Sequence, residues 1–138
     1  MSEQNKAVHR RLFEEVWNGQ DLSVVDELAA PDFVNHGLNA PPGAEGFKQF
    51  VAVVIGAFPD IHFAVEGVIA EGDKTVVRWT ATGTHQDEFM GIPATGKAIA
   101  ISGIAIDRFE GGKIVESWDE WDALGMMQQL GAIPPAGG

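Results

Sequence analysis

The sequence has no cysteine among its 138 residues. Disulfides and thiolate metal sites are thereby excluded. Basic residues are scarce: nine Lys and Arg stand against 20 Asp and Glu, a net charge of −11. A field of that sign repels phosphate backbones and anionic lipid, so neither nucleic acid nor a membrane is an expected partner. Long hydrophobic runs are missing as well, and none approaches the ~18 residues of a membrane span. Met1 to Lys6 is polar and lacks the apolar core of a signal peptide, so the expected location is the cytoplasm. There is no internal repeat, no linker, no phosphate-cradling glycine loop and no nucleophile elbow. Four scattered histidines offer no metal-ligand spacing, and no metal is expected.

What is present is apolar and periodic. Hydrophobic residues make up 45% of the chain, which argues against disorder. A chain of this length buries roughly two-thirds of its unfolded surface without staples. One soluble domain is expected over residues 1–133, with the Pro/Gly-rich stretch 134–138 as a frayed tail. The first half reads helical. Val8, Leu12, Phe13, Val16 and Trp17 recur at helical spacing, with Gly19 as a stop. Asp21 can cap a short helix through Leu28. Phe33 to His36 is a short extended piece, and Asn39 to Gly43 a Pro/Gly loop. Phe47, Phe50, Val51, Val54, Ile55 and Phe58 form a strong amphipathic stripe that Pro59 ends. The second half reads as strands over 61–70, 75–85, 98–109 and 113–121, joined by tight turns, with a closing helix over 123–130. Helices first and strands second imply α+β. Four such strands make a strongly twisted antiparallel sheet, curled around the first helices into a cone with an open mouth.

Candidate chemistry centres on Trp118-Asp119-Glu120-Trp121-Asp122. Strand alternation puts Asp119 and Trp121 on one face with Val115 and Ser117. Asp122 stands at the strand-to-helix junction and reads as a cap. Asp119 has no such structural role. It is either a solvated acid or a carboxylate aimed into the cone. A three-residue hairpin loop would set Phe109 opposite Lys113, Gly103 opposite Asp119 and Ala105 opposite Ser117. Among the histidines, His9 is expected on an exposed helix side and His62 faces away from Ile61 and Phe63. His85 shares the parity of Val77, Trp79 and Ala81 and points inward. His36 ends a short extended segment beside Asn35. A carboxylate in an apolar cavity can abstract a proton next to a carbonyl if a donor holds the enolate oxygen, and His85 or His36 could be that donor. Trp17, Phe50, Trp79, Phe89 and Trp121 are core aromatics that can also line a pocket for a hydrophobic small molecule.

Four segments carry a family resemblance: FVNHG at 33–37, Phe58-Pro59-Asp60, EGDKTVVRWTATGTHQDEFMGIPATGK at 71–97 and RFEGGKIVESWDEWDALGMMQQLG at 108–131. Together they resemble the SnoaL-like polyketide cyclases (ester cyclases) of the NTF2-like superfamily. The resemblance implies an NTF2-like cone that is homo-oligomeric through the sheet, as a dimer or tetramer. It implies an enzyme without metal or organic cofactor that closes a polyketide ring by intramolecular aldol condensation on a hydrophobic carbonyl or ester substrate. It places the family's acid/base aspartate at Asp119. A pocket histidine of the family falls at Ala105, and position 87, often glycine, is Asp87. An isomerase or dehydratase of the same fold, or a non-catalytic ligand cup, are the other readings open at this point.

Overall fold

The computed structural model describes residues 2–38 and 40–133; Asn39 of the expected loop and the tail expected at 134–138 lie outside them. Helix α1 (Ser2–Arg11) opens the chain and runs on as a wider π-helical stretch, Leu12–Asn18. Gly19 closes that stretch by donating its N–H to the Glu14 carbonyl at 3.0 Å. A Cβ on Gly19 would stand 2.6 Å from the Glu15 carbonyl oxygen. The buried side carries Asn5, His9, Phe13, Val16 and Trp17. His9 is therefore inside rather than exposed, because it lies one turn from both Asn5 and Phe13 on the buried stripe itself. Asp21 caps the next element by accepting from the Ser23 N–H, and a 3-10 turn at Leu22–Val24 leads into α2 (Val25–Leu28).

Strand β1 (Ala29–His36) is longer than the expected piece at 33–36. Its ladder breaks between Ala29 and Val34, where Pro31 has no N–H to contribute. On an edge strand that loss is tolerated. Helix α3 (Gly43–Ala57) buries Phe47, Val51 and Val54. Strands β2 (His62–Glu71), β3 (Lys74–Thr84), β4 (Ala98–Glu110) and β5 (Lys113–Trp121) follow. The sheet order is β1-β5-β4-β3-β2. The four long strands pair antiparallel, but β1 joins β5 in parallel. The sheet is therefore five-stranded and mixed, where four antiparallel strands were expected.

The β4–β5 register also differs from the expected one. Gly111 and Gly112 form a two-residue turn with Glu110 opposite Lys113, and both have positive φ, 60° and 82°. That is the geometry in which glycine is strain-free. Phe109 then pairs with Ile114 and Arg108 with Glu116, so Val115 is the extra residue of a bulge. Asp119 lies opposite Ala105, and Trp121 opposite Gly103. A displacement of two residues keeps each of these side chains on its face. The bulge, however, puts Ile114 rather than Val115 on the inner side.

Helix α4 (Ala123–Leu130) closes the chain, with Asp122 Oδ1 accepting from the Gly125 N–H at 2.8 Å. The Gln129 amide brackets the backbone of Ala100, at 2.7 and 2.9 Å, and so fastens α4 to β4. Apolar stripes of the helices and the inner face of the sheet meet in one core. Among the described residues no helix is long and apolar enough to cross a membrane.

Candidate active site

The inner face of the sheet does not close completely on the helices. A cavity of about 80 Å³ remains between them, small beside the ~300–1,000 Å³ of sites for drug-sized ligands. Its walls include all five aromatics singled out from the sequence: Trp17, Phe50, Trp79, Phe89 and Trp121. Trp17, Phe50 and Trp79 are joined through Phe63 in a continuous aromatic array. The Trp17 and Phe63 rings lie 4.7 Å apart, Phe63 and Trp79 meet edge-on at 5.0 Å, and Phe50 meets Trp17 edge-on at 6.3 Å. Such pairs are worth about 0.5–1.5 kcal/mol each beyond their buried area. Gly103 is what lets Trp79 lie flat: a Cβ there would come 2.3 Å from the indole Cζ2.

Polar atoms enter this apolar chamber from three strands. Asp119 on β5, Asn35 on β1 and Asp107 on β4 all line it. Asn35 Nδ2 donates to Asp119 Oδ2 at 2.7 Å, while Asn35 Oδ1 accepts from the Leu38 N–H at 3.1 Å. The second bond fixes which way the amide points. Gly37, at φ +100°, packs against the Asp119 backbone, and a Cβ there would stand 2.0 Å from the Asp119 carbonyl oxygen. The segment from Asn35 to Leu38 thus seats Asp119 from both its main chain and its carboxylate. Burial is the main cause that pushes the Asp119 carboxyl up to about 7. The nearby Asp107 charge adds to the rise and the Asn35 hydrogen bond opposes it. A group with that proton affinity both takes and returns a proton near neutral pH.

The two other sequence candidates lie elsewhere. Asn35 and His36 alternate on β1, so when Asn35 faces the cavity His36 takes the outer face. There it stacks on Trp118 at 5.4 Å and bonds Glu116 Oε2 at 2.8 Å. His85 does point inward, and it is fully buried, but it stands behind the cavity wall. Its ring stacks on Phe58 at 5.2 Å, and Nδ1 accepts from the Thr95 N–H at 3.2 Å. It fastens the loop that delivers Phe89. Neither histidine lines the cavity, so neither is placed to hold an enolate oxygen there.

Sequence reasoning passes over Asn35 and Asp107. Both carry a signal. Asn35 shares the parity of the buried Phe33, and Asp107 is the lone acid in the inward row of Ile99, Ile101, Gly103, Ala105 and Phe109. Among the described residues no group of three His, Asp or Glu side chains could hold a metal ion.

A SnoaL-like polyketide cyclase family profile matches residues 7–130. The chain belongs to this family. Solved structures of similar proteins superpose on it along nearly its whole length. A SnoaL-like polyketide cyclase candidate from Jannaschia sp. CCS1 is 31% identical, covers 96% of this chain and 95% of its own, and has a TM-score of 0.87. IdmH from Streptomyces antibioticus, a polyketide cyclase candidate, is 34% identical over 93% of this chain and 99% of its own, at a TM-score of 0.79. AclR from Streptomyces galilaeus, a hydroxylase candidate, is 30% identical over 99% and 86%, at 0.87. No curated protein matches the chain at a significant level. These similar structures therefore share this fold while their names point to more than one chemistry, and a fold alone does not choose between them.

Proposed function

We propose that this SnoaL-like protein is a cofactor-independent enzyme of the cyclase type, acting on a hydrophobic carbonyl compound or ester of polyketide character. One observation carries the reading: the carboxylate of Asp119, tethered by Asn35, stands in an aromatic cavity with its proton affinity raised to about 7. Asp119 takes the proton from a carbon next to a carbonyl. The resulting enolate carbon attacks a second carbonyl of the same molecule, and the alkoxide so formed takes the proton back from Asp119. No net proton is consumed. Asn35 has a second amide N–H beyond the one given to Asp119, and Trp121, whose indole carries an N–H, is among the lining residues. These are the donors the cavity offers for the enolate oxygen in place of a histidine. Because the void is small, a polycyclic substrate must displace residues at its half-exposed rim, which includes Leu38, Phe50 and Trp121.

The test uses a panel of aromatic β-ketoesters and anthraquinone-type precursors. Asp119→Asn should lower turnover of an accepted substrate by roughly 10²-fold or more, the scale of one well-placed base. Full turnover by that variant would end the assignment. A non-catalytic ligand cup is the second reading, favoured by Ala105, which sets a methyl group and no side-chain proton donor opposite Asp119. Tight binding of an apolar ligand with no panel member converted would support it. We further propose that the protein is a cytoplasmic homo-oligomer, built through the outer face of the sheet, and that residues 1–133 act as one domain.

A further inference from the structure

Behind Asp119 lies a second carboxyl that the proposed reaction does not use. In the sheet Thr75 is opposite Asp107, and Asp107 is opposite Ser117. Three strands thus set a hydroxyl, a carboxyl and a hydroxyl in one inward row, and α1 lays His9 across it. Ser117 Oγ donates to Asp107 Oδ1 at 2.5 Å, and His9 Nδ1 and Thr75 Oγ1 are 2.7 Å apart. His9 Nε2 faces Asp107 Oδ2 at 3.2 Å, and neither atom has another partner. His9 and Thr75 are wholly buried and Asp107 is 1% exposed. A nitrogen and an oxygen at this distance, closed to water, accommodate one proton between them. With Nδ1 also protonated and donating to Thr75 Oγ1, the pair is neutral as a unit, whichever of the two facing atoms holds the shared proton.

This row adjoins the candidate base. Ser117 and Asp119 share the inner face of β5, and Ala105 and Asp107 share that of β4. The two carboxyl groups are therefore diagonal neighbours on adjacent strands, at about 7–8 Å between backbone positions. Both line the one cavity, and no Lys or Arg lines it with them. Two like charges in such a place oppose each other's ionisation.

We propose that Asp107, clamped between His9 and Ser117, is a positioning residue that acts on Asp119 through space. The proton held with His9 leaves Asp119 as the charged group of the cavity, and loss of that proton sets a second negative charge beside the base. The proposal rests on Asp119 being the base. Burial pushes Asp107 up to about 7 and His9 down to about 3, so the pair favours its neutral form. Asp119 meets Asn35 from β1, Asp107 from β4 and, more weakly, Glu120 on its own strand. Asp107 meets His9 from α1, Thr75 from β3 and Ser117 from β5. The lining residues of α3 and α4 are apolar. With these partners the two acids titrate as a coupled pair.

The experiment is a carbon-13 titration of the aspartate side-chain carboxyls in the whole protein, for the wild type, Asp107→Asn and Asp119→Asn. Asparagine at 107 can still accept from Ser117 and donate to His9 Nε2, and it removes only the charge. The Asp119 midpoint should fall by about half a pH unit to one unit in Asp107→Asn, and the acid limb of kcat/KM should move with it. Should Asp107→Asn fail to fold, the coupling is still read in Asp119→Asn, where the Asp107 midpoint must fall by the same amount because linkage is reciprocal. An unmoved midpoint in the surviving variant overturns the proposal, since a purely structural Asp107 would change stability but not titration. If Asp119→Asn abolishes turnover while midpoints stay uncoupled, this inference fails alone. If Asp119→Asn keeps full turnover, the base assignment fails first.

Discussion

Asp119 and His9 pull the pH dependence of stability in opposite directions. An unfolded aspartate titrates near 4, whereas folded Asp119 titrates near 7. Between those values the folded protein keeps a proton that the unfolded chain has released. Its contribution is therefore fully present in acid and is lost as pH rises through about 7. His9 works the other way. Burial holds it near 3, so below about 6.5 the unfolded chain takes up a proton that the folded protein refuses. Comparing Asp119→Asn with the wild type cancels the histidine. The variant should be more stable at pH 8 by about 1–3 kcal/mol, because asparagine never carries the charge into the cavity. The gain should shrink as pH falls and vanish near pH 3, below the unfolded aspartate's value, where Asp119 is neutral in both states. Paired denaturant melts at the two pH values measure this; an equal gain at both would show that Asp119 is not a buried ionising group.

Much of the element layout follows from periodicity and turn chemistry. The stripe from Phe47 to Phe58 and the alternation of Val77, Trp79 and Ala81 each permit one facing only. The features that escape are those decided by tertiary partners. Val115 bulges because a two-residue glycine turn and the inward placement of both Ile114 and Ser117 cannot share one regular ladder, and nothing in the local sequence announces that conflict. β1 becomes a full strand despite Pro31 because β5 offers it a parallel edge. His9 defeats a local reading because a polar residue on an amphipathic helix reads as surface until the hydroxyl and carboxyl that receive it are known. Those groups, on Thr75 and Asp107, lie 66 and 98 positions away in sequence (75 − 9 and 107 − 9). At the β3–β4 ladder the fit is tight enough to test. Gly103→Ala should force the Trp79 indole off its bed and lower stability by about 1–3 kcal/mol, the usual penalty for overpacking. A shift in tryptophan fluorescence should accompany it. An unchanged melting temperature would mean the ring has room that the geometry denies.

The whole molecule presents a cup on one side of the sheet and a broad face on the other. Arg78, Ile104 and Glu120 lie in one row across that outer face, with Ile104 45% and Val34 49% exposed and the Trp118–His36 stack beside them. Apolar side chains at the centre of a polar border are the pattern of an association surface. Light scattering at micromolar concentration should report a dimer or larger species, and Ile104→Glu should shift it toward monomer. A monomeric wild type would remove the proposed assembly. The cone itself is legible in advance because its aromatic and strand pattern spans the whole chain. The seat of Asp119 is only half legible, since Asn35 and Gly37 reach it from a strand more than 80 residues distant in sequence (119 − 35 = 84).

The enclosure of Asp119 also makes ligand capture a proton-consuming event. An apolar molecule that enters the cavity strips the water the carboxyl still touches, and this drives its proton affinity higher. Near neutral pH, where burial holds the Asp119 carboxyl well above the usual carboxylate range, complexes should draw a fraction of a proton each from the buffer. Calorimetry of a bound ligand in two buffers of unequal ionisation heat reads that uptake directly, whether or not the ligand is ever converted. Affinity should accordingly weaken as pH rises above neutrality. Heats that agree in the two buffers would place the ligand away from Asp119.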